Sequence, residues 1–262
     1  MATLRPTAVA GMFYPGQPVA LRQSISEALA GAATVPTIQP KALIVPHAGY
    51  IYSGPVAASA YRLLKPLAAS IERVVLIGPS HRVGFYGFAL SSADYFATPL
   101  GHVPVDRQAV ARLSERADTR VFDAAHAQEH CLEVQLPFLQ TLLPMFSIVP
   151  IVTGEASSDA TAEVLASFAE ESATLIVISS DLSHYHDYVT AQRLDRETTD
   201  HIAALDYKAL TAGSACGRVA VCGGLALAKA RGWQVTVLDV RNSGDTAGSK
   251  DRVVGYGAYA LH

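Results

Sequence analysis

The chain has 262 residues, with 20 Lys and Arg against 23 Asp and Glu, giving a formal net charge of −3. Half of the residues are apolar and 16% are charged, where about 25% is usual for a soluble domain, so the chain can bury enough apolar surface to exclude disorder. A pI near 6.3 provides no basic field for nucleic acid, and no apolar run approaches the roughly 18 residues needed to cross a bilayer.

The sparse charge fits a surface partly hidden in a homo-oligomer. Met1 to Pro15 is interrupted by Arg5, Pro6, Gly11 and Pro15 and has no continuous signal core. Three cysteines, an odd number, make no disulfide framework. The expectation is a cytoplasmic, reduced protein with a thiolate available for metal or catalysis.

In chain order the patterns predict a helix over Val19–Ala30, a buried strand over Ala42–Val45, a helix over Pro55–Leu64 and a strand over Val74–Ile77. Helices follow at Asp106–Arg116 and Glu129–Leu143, then a strand at Ile148–Val152, a helix at Ala160–Glu170 and a strand at Leu175–Ile178. Helices at Thr190–Leu205 and Arg218–Ala230 precede strands at Val235–Val240 and Val253–Tyr259. Such alternation predicts an α/β fold, a largely parallel sheet flanked by helices, in one domain over residues 1–262.

Three of these strands end alike. Leu43-Ile44-Val45-Pro46 runs into His47, Val74 to Ser80 runs into His81, and Leu175 to Ser180 runs into Asp181-Leu182-Ser183-His184. Open α/β sheets bind ligands beyond the carboxyl ends of their strands, so neighbouring parallel strands would bring His47, His81 and His184 to one edge. Taken singly, each histidine reads more readily as an idle loop residue; convergence carries the inference.

His102, His126, His201 and His262 have no such context and are expected at the surface. His186 is expected to face away from His184. His130 opens a predicted helix in which Glu129 and Glu133 share a face and Leu132, Leu136 and Leu139 form the buried stripe; it reads as a solvated helix-start residue or as a site residue.

Cys216, before the apolar stretch Val219–Ala230, lies near a helix N-terminus beside Arg218, where the dipole and the cation favour thiolate; packing is the alternative role. Cys222 beside Gly223-Gly224 reads as close packing, and Cys131 as a small helix residue. Two histidines and a cysteine (His47, His81 and Cys216) would make a three-ligand metal site with an open position. Asp181 and His184 would then lie beyond the metal or serve as acid–base groups. No dinucleotide fingerprint or phosphate-binding lysine loop occurs.

With these residues in place, the chain resembles the Memo family (mediator of ErbB2-driven cell motility and its bacterial and archaeal relatives). The matching segments are Pro46-His47-Ala48-Gly49-Tyr50, Gly78-Pro79-Ser80-His81, Glu129-His130-Cys131-Leu132-Glu133 with Leu136-Pro137, Ser179-Ser180-Asp181-Leu182-Ser183-His184, and Cys216-Gly217-Arg218, in the family's order across nearly the whole chain. The resemblance implies a fold similar to class III extradiol dioxygenases, which are non-haem iron enzymes. It implies metal ligands at His47, His81 and Cys216. His130 and His184 fall on the two active-site histidines beyond the metal, with Asp181 alongside.

Ring-cleaving enzymes carry a carboxylate where the family has the cysteine, and a softer thiolate shifts preference towards copper, zinc or thiolate-bound iron. A tryptophan that contributes to phosphotyrosine-peptide binding in animal members is replaced here by Phe13, so that role is not carried over. A radical-SAM protein and an AMMECR-type domain protein are the partners the resemblance implies.

The leading expectation is therefore a metalloprotein using iron or copper in oxygen-dependent redox chemistry on an unidentified small molecule or peptide in the metal cleft. A zinc-dependent hydrolase and a non-catalytic peptide- or protein-binding module on the same fold are the alternatives.

Overall fold

Strands that are apolar on both faces belong in the middle of a sheet, because each face must be covered. The computed structural model describes residues 2–32 and 38–262; the single unit expected over 1–262 also takes in residues 1 and 33–37, which lie outside the described residues. Along the chain run β1 (Leu4–Arg5), α1 (Pro18–Gly31), β2 (Ala42–Val45), α2 (Tyr50–Tyr61), β3 (Arg73–Pro79), β4 (Phe88–Leu90), β5 (Tyr95–Thr98) and β6 (Gly101–Pro104). Then come α3 (Arg107–Leu113), β7 (Thr119–Val121), α4 (Ala124–Ala127), α5 (Leu136–Leu142), β8 (Ser147–Thr153), α6 (Ser158–Ala169) and β9 (Thr174–Ser179). The last elements are β10 (His184–His186), α7 (Tyr188–Ala203), α8 (Arg218–Arg231), β11 (Val235–Asn242), α9 (Ser243–Thr246) and β12 (Val253–Leu261).

The main sheet has the order β10-β12-β2-β9-β3-β8-β4-β7, with β11 paired to β12, and a small second sheet has the order β1-β5-β6. Its centre, β2-β9-β3-β8, is wholly parallel: Leu43 lies opposite Val177, Ile176 opposite Val75, and Val75 opposite Val149. Antiparallel β12 and β4 border that centre. The α/β architecture with a largely parallel sheet flanked by helices is thus the observed one. Helices α6 and α8 pack together and against β9, while α2 and α7 pack against β11 and β12. Strands β4 to β7, of three or four residues each, were not anticipated, because so short a run has too few alternations to read.

The predicted helix over Glu129–Leu143 does not form as one piece. A turn leads into a 3-10 segment, Glu133–Gln135, and only then into α5. The reason is that both glutamates are buried (Glu129 3% exposed, Glu133 fully enclosed) instead of sharing a solvated face. Glu129 accepts hydrogen bonds from the backbone N–H groups of His130 and Cys131, a local bond that competes with helical pairing. Glu133 pairs with Arg5 and accepts from the N–H groups of Ala8 and Val9 and the Tyr14 hydroxyl, clamping the N-terminal segment to this turn. The helix predicted from Pro55 begins instead at Tyr50, with Pro55 inside it, and continues as a 3-10 segment over Arg62–Ser70.

His126, expected at the surface, is 2% exposed. Its Nε2–H donates to the Ala89 carbonyl at 3.0 Å, and its own carbonyl accepts from Arg5, so its polar groups are satisfied inside. Burial lowers its pKa from 6.5 to about 4. The unfolded chain therefore binds a proton that the folded chain refuses. Stability is complete above about pH 6.5 and falls as pH drops towards 4, by about 3 kcal/mol from this one group. Denaturant titrations of chelator-treated protein between pH 7 and 4 are expected to give a shallower acid slope for His126→Gln; an unchanged slope would place the titrating group elsewhere.

The Gly223-Gly224 pair lets α8 approach its neighbours, as the sequence suggested. A Cβ on Gly223 would lie 2.3 Å from the Thr161 side chain and 3.1 Å from its backbone, and one on Gly224 would lie 2.2 Å from Ile178. Alanine favours a helix by about 1 kcal/mol over glycine, but overpacking here costs about 1–3 kcal/mol and decides the sign. Gly223→Ala is expected to lower the urea midpoint. A raised midpoint would mean that the helices separate without strain.

Candidate metal centre

Because β2, β9 and β3 are adjacent and parallel, the residues that follow them emerge side by side. His47 and His81 each follow their strand by two residues, and Asp181 does the same after β9. Cys216 arrives from across the sheet edge, just before Gly217 caps α8. A Cβ on Gly217 would sit 2.7 Å from the Ser179 carbonyl, so only glycine lets the chain bring Cys216 this close. Its N–H donates to the Asp181 carbonyl at 3.3 Å, and its sulfur accepts from the Asp181 N–H at 3.2 Å. One donor atom each from His47, His81 and Cys216 lie within 4.8 Å of one another, with Cys216 Sγ 3.2 Å from His47 Nε2.

The hydrogen bonds behind these rings aim them. Ser179 Oγ donates to the Cys131 carbonyl at 2.7 Å, so towards His47 Nδ1, 2.9 Å away, it acts as acceptor. His81 Nδ1 donates to Glu129 Oε1 at 2.8 Å, and His184 Nδ1 to the Leu182 carbonyl at 2.8 Å. In all three rings Nδ1 is therefore the nitrogen held from behind, and Nε2 is the one left available to a cation. Two imidazoles and one sulfur meeting at this distance suit a cation that takes nitrogen and thiolate ligands, so the donor set fits a metal.

Electrostatics at this edge are set by burial. His47 is 2% exposed, and burial, then repulsion from His81, pulls its pKa down to about 3. His130 is lowered to about 4, again by burial first and then by His47. For Glu129 burial acts the other way, yet the hydrogen bonds from the ring and backbone of His81 hold the carboxyl down to about 2. Burial raises Asp181, partly offset by the bond its Oδ1 accepts from the His47 N–H.

Cys216 departs from expectation. Burial, followed by the Asp181 charge, pushes its thiol up to about 12, and its backbone donors do not outweigh them. Arg218 acts instead on Cys222. Without a cation beside it, Cys216 is a thiol.

Above the donor atoms opens a cavity of about 910 Å³ whose lining includes His130, Asp181, His184 and Phe13. The His130 ring stacks on that of His81 at 4.5 Å between centroids and meets Phe13 at 4.7 Å. It is thus a cavity residue and not a solvated one. His186, expected to face away, also lines the cavity, together with His184 and Tyr185 of the same short strand. Of the other cysteines, Cys222 bonds the Tyr207 carbonyl inside α8, and Cys131 is fully buried with its thiol on the Pro79 carbonyl.

Sequence reasoning missed Glu129, Ser179 and Gln135 as supports of the site. Gln135 Nε2 donates to both the Pro46 carbonyl and Ser179 Oγ. The available signal was polar residues interrupting apolar runs: Gln135 between Val134 and Leu136, and Ser179 closing an apolar strand.

Residues 5–260 match the family model described as Memo-like protein. The chain is 37% identical to a MEMO1 family protein of Sulfolobus acidocaldarius over 97% of both chains. It is 36% identical, again over 97% of each, to MEMO1 family proteins of Aquifex aeolicus and Archaeoglobus fulgidus. Among solved structures it is similar to the uncharacterized protein JW3007 from Escherichia coli K12, with a TM-score of 0.55 at 12% identity over 83% of this chain and 99% of that one. At that identity the likeness concerns the fold alone. A family model matched almost from end to end, with relatives at this identity over nearly their full length, places the chain in the Memo-like protein family.

Proposed function

We propose that this Memo-like protein binds a redox metal, iron or copper, through His47, His81 and Cys216, and that the centre serves oxygen-dependent redox chemistry on a small molecule held in the cavity. The observation that carries the reading is the meeting of three donor atoms, one each from His47, His81 and Cys216, within 4.8 Å, with Nδ1 of each histidine already engaged by Ser179 or Glu129. When bound, the metal would supply a Lewis-acidic, redox-active centre with an open coordination position.

The remaining chemistry belongs to the chain. Glu129 and Ser179 fix the two ligand rings before any metal arrives, so ligation needs no rotamer search. Asp181 Oδ2 lies 4.0 Å from His47 Nε2 and can hold a proton where burial disfavours its charge. His184, with Nδ1 tied to a carbonyl, offers Nε2 as a proton acceptor at the cavity wall. Two histidines and one thiolate with an open position also suit zinc, which would turn the same constellation towards hydrolysis. Metal analysis after anaerobic, reducing purification separates the two: iron or copper supports the redox reading, and zinc at one equivalent replaces it.

Two variants test the assigned roles. His81→Ala is expected to lose bound metal at least tenfold, while His184→Ala retains it, as measured by elemental analysis of purified protein. Equal loss of metal from both would mean that His184 is itself a ligand.

The thiol state gives a further expectation. In metal-free protein at neutral pH, Cys216 is expected to alkylate at least about tenfold more slowly than an unstructured cysteine peptide, read by mass-spectrometric mapping. Rapid labelling would show an ionised, accessible sulfur.

A further inference from the structure

The reading above leaves open what the cavity holds, and its wall composition speaks to that. Four aromatic rings line it (Phe13, Tyr52, Tyr185 and Tyr256), with a volume of about 910 Å³ that accommodates a small organic molecule with room for water. Arg252 is the one Lys or Arg side chain among its described lining residues, and the one carboxylate there, Asp181, is 4% exposed and already accepts the His47 N–H. Arg252 is exposed and has no ion pair or hydrogen-bond acceptor among the described residues; its guanidinium lies 5.3 Å above the Tyr185 ring. An arginine stacked on an aromatic face keeps its planar edge free for a bidentate anion.

The backbone beneath is unusual in a second, independent way. Tyr185 has φ 63°, a left-handed conformation that tyrosine adopts at a cost, and the pairing of β10 with β12 shifts register between His184 and His186. That kink sends the Tyr185 ring outward, 64% exposed, beneath Arg252, while His184 on the same short strand lines the cavity. Strain of this kind persists where the surroundings over-determine it, and here it sets a cation and an aromatic face at the mouth of the cavity that holds the donor atoms.

We propose that the cavity binds a small organic carboxylate with an apolar, preferably aromatic, body: the carboxylate pairs with Arg252 on the Tyr185 platform, and the body lies along Phe13 and Tyr52 towards His47, His81 and Cys216. This rests on the metal-site reading only for where the far end of the ligand points; the anion subsite is built by Arg252 and Tyr185 alone.

The test uses the full chain, chelator-treated and separately metal-loaded, titrated calorimetrically and by ligand-observed NMR with 3-phenylpropionate and its uncharged analogue 3-phenylpropionamide. The carboxylate is expected to bind saturably to chelator-treated protein, at least about tenfold more tightly than the amide, a difference of about 1.4 kcal/mol. Arg252→Gln should abolish that preference and Arg252→Lys retain part of it. Lys250→Gln, which removes a cation of the same loop stacked on Tyr188 outside the cavity lining, should leave binding unchanged.

Equal binding of acid and amide, no saturable binding, or indifference to Arg252→Gln would overturn the proposal, as would an equal loss in Lys250→Gln, which would mark a diffuse charge effect. The metal content of the same samples is read independently. Metal retained with no carboxylate preference therefore sinks this inference alone, and carboxylate binding by a chain that takes up no metal sinks only the metal reading.

Discussion

A carboxylate enclosed to 3% exposure must find donors for its oxygens, and the way Glu129 does so organises the site. It accepts from the backbone N–H groups of His81, His130 and Cys131 and from the His81 ring, joining the loop after β3 to the turn before α5. One side chain thereby breaks a helix that the apolar stripe would otherwise extend, fixes the tautomer of a candidate ligand and sets His130 over His81. Four residues on, Glu133 does the equivalent for the N-terminal segment through Arg5, Ala8, Val9 and Tyr14. Phe13 reaches the cavity because that segment is held down.

Against this polar framework stands a sheet whose centre tolerates almost nothing polar. β2, β9, β3 and β8 are buried along nearly their whole length, so they occupy the interior of the sheet, where both faces are covered. Function collects at their ends because that is where the backbone leaves the sheet and polar side chains can be satisfied. The close approaches at Gly217 and Gly223 bring α8, and Cys216 with it, against this edge.

Burial biases His47, His130, Asp181 and Cys216 towards neutrality, and on Glu129 the same bias is outweighed by the hydrogen bonds from His81. His47 and His130 are kept unprotonated, while Asp181 and Cys216 are biased towards their protonated forms. Unprotonated rings are ready ligands. A protonated thiol is one only when a cation displaces its proton, which couples the centre to pH. The helix-terminus argument for a standing thiolate fails because dehydration and a neighbouring carboxylate outweigh a partial dipole and the backbone donors at the sulfur, and because the cation counted on, Arg218, acts on another cysteine.

The central strands, the helices that cover them and the three histidine-bearing strand ends were legible in the sequence, because apolar runs of four to seven residues with abrupt polar ends carry their own signal. The motif order brought His47, His81, His130, Asp181, His184 and Cys216 into view together. Tertiary structure alone decided what lies behind them: the acceptor on each Nδ1, the burial of His126, Glu129 and Glu133, the split of the Glu129–Leu143 helix and the edge strands of three or four residues. Most of those features depend on contacts across tens to more than a hundred residues, such as His81 with Glu129, Arg5 with Glu133 or Ser179 with His47. A side chain's neighbours at that separation are set by how the sheet is assembled, and local periodicity reports only which face of its own element a residue prefers.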